Sequence, residues 1–565
     1  MRRIQTIIIL LFILPLSFNA QNVSFEWGES FGGGDIDDGN SIVVDSLGNS
    51  YLVGNFWGTV IYNTGSIVTP LVSEGLSDIF ILKLDSTGAG VWIKQIGGVS
   101  YDEGFSITID AFGDILVTGR FTNTVDFGLG GNAVYLSSFP LWKSDVFILK
   151  IDVAGNLIWA KSMGGAEDDV PWSISTDRAG NVYTTGIFQG GGQADFDPGA
   201  GVFNLISFGG SDIFIQKLDS AGSFRWAKNV GSGANDIVRS ITTDIFHNTY
   251  ITGEFFGTID FDPGPGVFNL TSSTSNDIYV QKLDSNGSFL WAKSMGGASN
   301  DAGVAITSDS FGNVYITGMF SGTADFDPGI GSDSLTPIGS LDVFIQKLNS
   351  NGDLIWVKSV GGTNMEVGTD INIDINDDVY LTGWFRDTVD FDPGVGVFNL
   401  SVFGSAAFVL KLDSSGNFKW AKSFAGSAGS GRSLFVDQKR SVYLVGSFMG
   451  SADLDPDTTT NIVVSAGGSR DYFIIKLSQG FPVGIIDNKE VQNLIIYPNP
   501  ASQQITVDSK ELKISEIKII DIMGKLIKTF IPASNNINIT DLISGIYFIQ
   551  ITTKERTITQ KFVKK

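Results

Sequence analysis

Seven tryptophans, Trp27, Trp92, Trp159, Trp226, Trp291, Trp356 and Trp420, are separated by 65, 67, 67, 65, 65 and 64 residues. A second series, Asp45, Asp110, Asp177, Asp244, Asp309, Asp374 and Asp437, keeps nearly the same step. A fixed period of this kind means that one supersecondary unit is copied along the chain, each copy burying its faces against its neighbours. Each unit holds four strand-like runs, here called a, b, c and d; in the fifth they read "GVAITSD", "NVYITGMF", "LDVFIQKLN" and "DLIWVKSVGG". Val, Ile, Tyr, Phe and Trp dominate them, and Gly, Asn, Asp and Ser bound them. The links "DSFGN" between a and b and "NSNGD" between c and d are short enough for hairpins.

Apolar residues fall on both faces of these strands, so each sheet must be covered on both sides. Four-stranded antiparallel blades stacked radially meet that demand. The ends of the repeat region say how the ring is joined. The chain enters with a lone d-type run, "SFEWGESFGG", and leaves with c-type "DYFIIKLS" and no d. The first run is expected to complete the last blade, leaving no bare sheet edge. The expected fold is therefore all-β: a seven-bladed β-propeller over residues 21–478, a linker at 479–490, and a small C-terminal β-sandwich over 491–565.

Phrases such as "DIFIQKLDSAGSFRWAKNVG" and "GNVYITGMF" resemble the SBBP-type β-propeller repeat of exported bacterial proteins, over about residues 24–478. That resemblance implies architecture and no particular reaction. The C-terminal segment is similar to the type A sorting domain of the type IX secretion system. The matching pieces are Tyr497-Pro498-Asn499-Pro500, "DIMGKLI" with Gly524, "LISGIYFIQI" with Gly545 and Tyr547, and the basic end "KFVKK". The resemblance implies carriage across the outer membrane of a Gram-negative bacterium by that machinery. Removal of the domain usually follows, with anchoring at the surface or release.

Residues 1–20, two arginines followed by an apolar run and small residues to Ala20, read as a secretory signal peptide. No other stretch is apolar and long enough for a transmembrane helix. From Ile485 onward 11 Lys and Arg face 8 Asp and Glu, so the preceding body carries −26 against a net −23 for the whole chain. Such a body repels nucleic acid and anionic membranes. The chain has no cysteine and one histidine, His247, which excludes disulfides, thiolate chemistry and His-rich metal sites. His247 stands at a turn position usually held by Gly, on the face opposite the acidic loops, where a catalytic role is not expected.

Two acidic series repeat with the period. The first is the phrase "DFDPG" after strand b: Asp195 with Asp197, Asp260 with Asp262, Asp325 with Asp327, and Asp390 with Asp392. The last unit has the variant Asp453 with Asp455. Asp before Pro-Gly builds a side-chain-capped turn; alternate carboxylates also suit a hard cation, with Ca²⁺ the expected one. The second series precedes strand a: Asp37, Asp102, Asp169, Asp236, Asp301 and Glu366, with Gly429 in the seventh place. These acids either hydrogen-bond loop amides between blades or line a ligand-binding face. Trp172, Arg239 and Arg432 break the repeat near the axis, and Arg120 and Trp384 break it at the end of strand b. Aromatics and arginines beside acids can grip a glycan or a peptide. The leading expectation is a non-enzymatic binding or adhesion module. The alternatives are a carboxylate-based glycoside hydrolase, which needs one asymmetric pair of carboxyls about 5–9.5 Å apart, and a purely structural envelope protein.

Overall fold

The computed structural model describes residues 23–479 apart from 64–67, 191, 427 and 458–459; beyond them it describes 495–497, 501–508, 514–521, 526–530, 536–543, 545–553 and 557–565. The expected signal peptide, most of the linker and Pro498, Asn499, Pro500 and Gly524 lie outside the described residues. The chain divides into two compact units, 1–480 and 481–565.

The first unit is all-β. Its strands pair antiparallel in the order a–b–c–d, as in Asp301–Ser308, Val314–Phe320, Asp342–Leu348 and Leu354–Gly362. Seven such four-stranded units repeat among the described residues. In the last, Ser430–Val436, Val442–Met449 and Arg470–Gln479 are joined by Val23–Phe31 as strand d, with Phe31 opposite Tyr472 and Val23 opposite Gln479. The a strands neighbour one another in chain order, and the first, Asp37–Val44, lies beside the last, Ser430–Val436.

The apolar cores lie between consecutive sheets, which is why both faces of each strand are apolar. Tyr51, Tyr183, Tyr250, Tyr315, Tyr380 and Tyr443 of strand b are fully buried. The repeated Trp of strand d does more than pack. Its indole N–H donates to a carbonyl in the c–d turn of the next unit: Trp226 to Ser285 at 3.2 Å, Trp291 to Ser350 at 3.1 Å. Lysines of strand c reach the same carbonyls, Lys217 at 2.9 Å and Lys282 at 3.0 Å. Trp420 has no such acceptor among the described residues, because the last unit takes its strand d from the other end of the chain and has no c–d turn.

Two features were not legible as a–b–c–d. Strand c of the last unit runs on to Gln479, a buried residue that accepts from Lys411 at 3.1 Å. A short hairpin also lies between b and c in most units; Gln193–Asp195 pairs with Asn204–Ile206 and also with Gly164–Gly165 at the end of the preceding strand d.

The second unit has seven strands among the described residues, in a three-stranded sheet led by Ile495–Tyr497 and a four-stranded sheet with Gly545–Thr553 and Thr557–Lys564 at one side. Ile505, Val507, Ile517, Ile519, Ile549 and Ile551 form its core. Gly545 opens the longest strand, and the Tyr547 hydroxyl donates to the Ile543 carbonyl at 3.0 Å.

Candidate functional site

In the "DFDPG" phrase the first carboxylate templates the hairpin. Asp195 Oδ1 accepts the N–H of Asp197 at 3.0 Å and of Phe203 at 2.8 Å, two and eight residues on. Asp197 Oδ1 then accepts the Gly199 N–H at 2.8 Å, as an Asp before Pro-Gly should. The other copies repeat this. Asp260 holds the amides of Asp262 and Phe268, and Asp262 holds that of Gly264 at 2.8 Å. Asp325 holds the amides of Asp327 and Asp333, and Asp327 holds that of Gly329. Asp390 holds the amides of Asp392 and Phe398, and Asp392 holds that of Gly394 at 2.8 Å. In the variant, Asp453 takes the N–H of Asp455 and Asn461, and Asp455 that of Asp457.

These contacts give each carboxylate a local role in its own hairpin. No group of three or more His, Cys, Asp or Glu capable of holding a metal ion occurs among the described residues. Asp195, Asp260, Asp325, Asp390 and Asp453 are hairpin formers whose Oδ1 is occupied by two backbone amides. Asp197, Asp262, Asp327, Asp392 and Asp455 cap the turns that follow them. Each Asp thus turns one oxygen onto amides of its own turn. The aromatic between them, Phe196 in the third unit, packs 4.8 Å from Phe214, and its carbonyl accepts from Gln216.

The second series lies at the seam between consecutive units, and its members are buried rather than displayed. Each accepts an amide four residues back: Asp37 from Gly33 at 2.6 Å, Asp102 from Gly98 at 2.7 Å, Asp169 from Gly165 at 2.6 Å. Asp236, Asp301 and Glu366 accept from Ser232, Gly297 and Gly362. Several also cap the end of strand b, Asp102 from Thr122 and Asp301 from Ser321, both at 3.0 Å. Burial pushes the Asp37, Asp102, Asp301 and Glu366 carboxyls up to about 7, Asp236 up to about 6, and Asp169 well above the ordinary range.

A third acidic series escaped the sequence reading. Asp78, Asp145, Asp212, Asp277, Asp342 and Asp471 open strand c, each buried, with Ala406 in the remaining unit. Its sequence signal, Asp before an aromatic-rich run, looks like an ordinary strand boundary.

The repeat-breaking residues gather into two groups. Arg239 donates to Glu254 at 2.9 Å and its guanidinium lies 5.6 Å from the Trp172 ring centroid. Trp172 in turn packs 5.5 Å from Phe105, over which Arg120 sits while paired to Glu103 at 2.6 Å. The result is an arc of two packed rings flanked by two cations, favourable for flat apolar faces edged with hydroxyls or amides. Trp172 Nε1 and Arg239 Nε have no hydrogen-bond partner among the described residues. Arg432 belongs to a second group: it lies 3.7 Å from Asp38, to which Arg470 donates at 2.6 Å. Trp384 is covered by Arg386 at 5.6 Å. His247 adopts φ 65° and its Nδ1 lies 3.0 Å from Asp177 of the preceding unit.

Residues 27–61 and 91–122 match the beta-propeller repeat family, and residues 495–565 match the secretion system C-terminal sorting domain. The chain thus carries SBBP β-propeller repeats followed by a type IX sorting domain. An uncharacterized WD repeat-containing protein of Acanthamoeba polyphaga mimivirus is 24% identical over 509 residues, covering 75% of this chain and 36% of that relative. This chain spans about a third of that relative's length. Among solved structures, the WD40 β-propeller domain of Doa1 is 10% identical, covering 81% of this chain and 97% of that one with a TM-score of 0.40. PorZ, a bacterial surface component of the type-IX secretion system of Porphyromonas gingivalis, is 10% identical, covering 95% and 100% with a TM-score of 0.23. The sorting domain implies export to the cell surface or the medium. No helix among the described residues is long and apolar enough to cross a membrane.

Proposed function

We propose that this chain is an exported, non-enzymatic propeller of seven blades, closed by its own N-terminal strand, which serves as a binding or adhesion module outside a Gram-negative cell. The type IX machinery engages the C-terminal domain, and the ligand is an extracellular glycan or protein. The observation that carries the reading is the Arg120–Phe105–Trp172–Arg239 arc, where a nearly symmetric repeat is broken by side chains suited to recognition.

Chemistry is not supported by the same residues. The carboxyls whose acidity is weakened enough for general-acid work recur from seam to seam and are sealed from solvent, with amides on their oxygens. A hydrolase needs one exposed, unequal pair.

The test is an array of glycans and peptides probed with the full chain, with and without calcium, alongside Trp172→Ala and Arg239→Ala. Saturable binding lost in both variants, with melting unchanged, supports the module. Turnover of a polysaccharide, ester or peptide abolished by a single Asp→Asn change overturns it.

A further inference from the structure

Across each seam the second and third acidic series meet. Asp145 opens strand c of one unit, Asp169 leads into strand a of the next, and Gly164 of strand d stands between them; Asp277, Gly296 and Asp301 repeat the arrangement. At the seam between the sixth and seventh units all three positions change together, to Ala406, Ala425 and Gly429. A β-carbon on Gly164 would lie 2.7 Å from Asp145 Oδ1 and 2.7 Å from Asp169 Oδ2. On Gly296 it would lie 2.6 Å from Asp277 Oδ1 and 3.0 Å from Asp301 Oδ2. Both carboxyls therefore face one small space over the glycine.

The other sides of the pair are supplied with donors. Asp277 Oδ2 takes the Ser273 N–H at 3.0 Å, and Asp301 takes Gly297 and Ser321. Yet Oδ1 of Asp78, Asp145, Asp212, Asp277 and Asp471 is buried without any hydrogen-bond partner among the described residues. Two buried carboxylates side by side repel each other, and a bare buried acceptor costs free energy. One proton removes both penalties, because it neutralises one acid and turns the bare oxygen into a donor.

We propose that each of these six seams is a proton-binding site holding one proton between the strand-c Asp and the acid across the seam, on the bare Oδ1 of Asp78, Asp145, Asp212, Asp277 and Asp471, and between Asp342 and the bare Oε1 of Glu366 at the sixth. A calcium ion takes six to eight oxygens, and each pair offers two side chains with amides already on them. Around Asp301 the charged neighbour is Asp277, and around Asp236 it is Asp212. Four other pairs face further acids: Glu74 and Glu103 beside Asp78 and Asp102, Asp168 beside Asp145 and Asp169, Asp387 beside Glu366, and Asp38 beside Asp37. The nearby cations Arg120, Lys143 and Arg470 are tied to Glu103, Asp168 and Asp38. Burial raises Asp145 to about 7 and Asp277 above the ordinary range, consistent with a retained proton.

Because the folded carboxyls hold protons more tightly than the unfolded ones, this stabilisation is complete below about pH 4 and is lost as pH rises toward 7. Infrared spectra of the full chain at pH 7, where ordinary carboxyls are ionised, should show a carbonyl stretch of un-ionised acid. Asp277→Asn should remove about a sixth of it, and Asn at all six strand-c positions should abolish it. Melting of the unaltered chain should fall by roughly 5 to 10 °C between pH 5 and pH 8, and the six-site variant should lose most of that dependence. Should the six-site variant fail to fold, the Asp277→Asn spectrum decides alone. No un-ionised band at pH 7, or a band that Asp277→Asn leaves intact, overturns the proposal. So does a band erased by calcium with a rise in melting temperature, which would make the occupant a metal.

Discussion

The Tyr472 hydroxyl donates a 2.8 Å hydrogen bond to the Tyr62 hydroxyl, joining buried groups 410 residues apart in sequence. Tyr472 also stacks 4.9 Å from Phe80 and packs 5.5 Å from Phe31 of the entering strand. First and last units are thus fastened through side chains as well as through backbone. Tyr62→Phe strands a buried hydroxyl on Tyr472 and should cost about 1–3 kcal/mol. Tyr62→Phe with Tyr472→Phe should recover most of that loss, since both polar groups then disappear. Denaturant melts of the three variants give the coupling directly. Additive losses would mean that the two hydroxyls act independently.

The seam glycines are required by the Asp beside them. A β-carbon on Gly231 would lie 2.0 Å from Asp212 Oδ1, so Gly231→Ala should lower the melting temperature by several degrees. Combining it with Asp212→Ala and Asp236→Gly copies the Ala406–Ala425–Gly429 seam and should restore stability. Failure of that triple variant to recover would mean that the natural exception depends on residues elsewhere.

Asp325 holds the Asp327 and Asp333 amides. Asp325→Ala leaves both donors without their acceptor and should cost about 1–2 kcal/mol, as loss of a capping carboxylate does. Melting in calcium chloride against sodium chloride of equal ionic strength separates this role from cation binding. Equal shifts leave a hairpin former; a larger calcium shift, lost in Asp325→Ala, restores calcium as a ligand.

The tryptophan series should split in two. Trp226→Phe loses the hydrogen bond to Ser285, worth about 0.5–1.5 kcal/mol, as well as packing. Trp420→Phe removes an indole N–H that has no acceptor among the described residues, so it should cost less. Paired melts of the two variants test the assignment; equal losses would reduce the series to packing.

The sequence by itself determined the repeat, the four strand types, the likeness to exported propeller repeats and the sorting domain. Those are matters of period, pattern and local turn chemistry, and each is written within about 65 residues of itself. It also flagged Trp172 and Arg239 as breaks in the pattern. What only the tertiary structure decided was the fate of the acids. Asp195 suits a turn or a cation by its sequence, and its hairpin partner eight residues on and the strand across the seam come from the fold. The Oδ1 atoms of Asp262 and Asp392 are turned onto the amides of Gly264 and Gly394. Asp37 and its equivalents suit either loop-amide bonding or a displayed face until their burial is seen. Asp145 and Asp169 stand 24 residues apart in different units, and nothing local marks them as neighbours. A carboxylate's role depends on the donors and dielectric around it, and between stacked sheets those come from the next unit along.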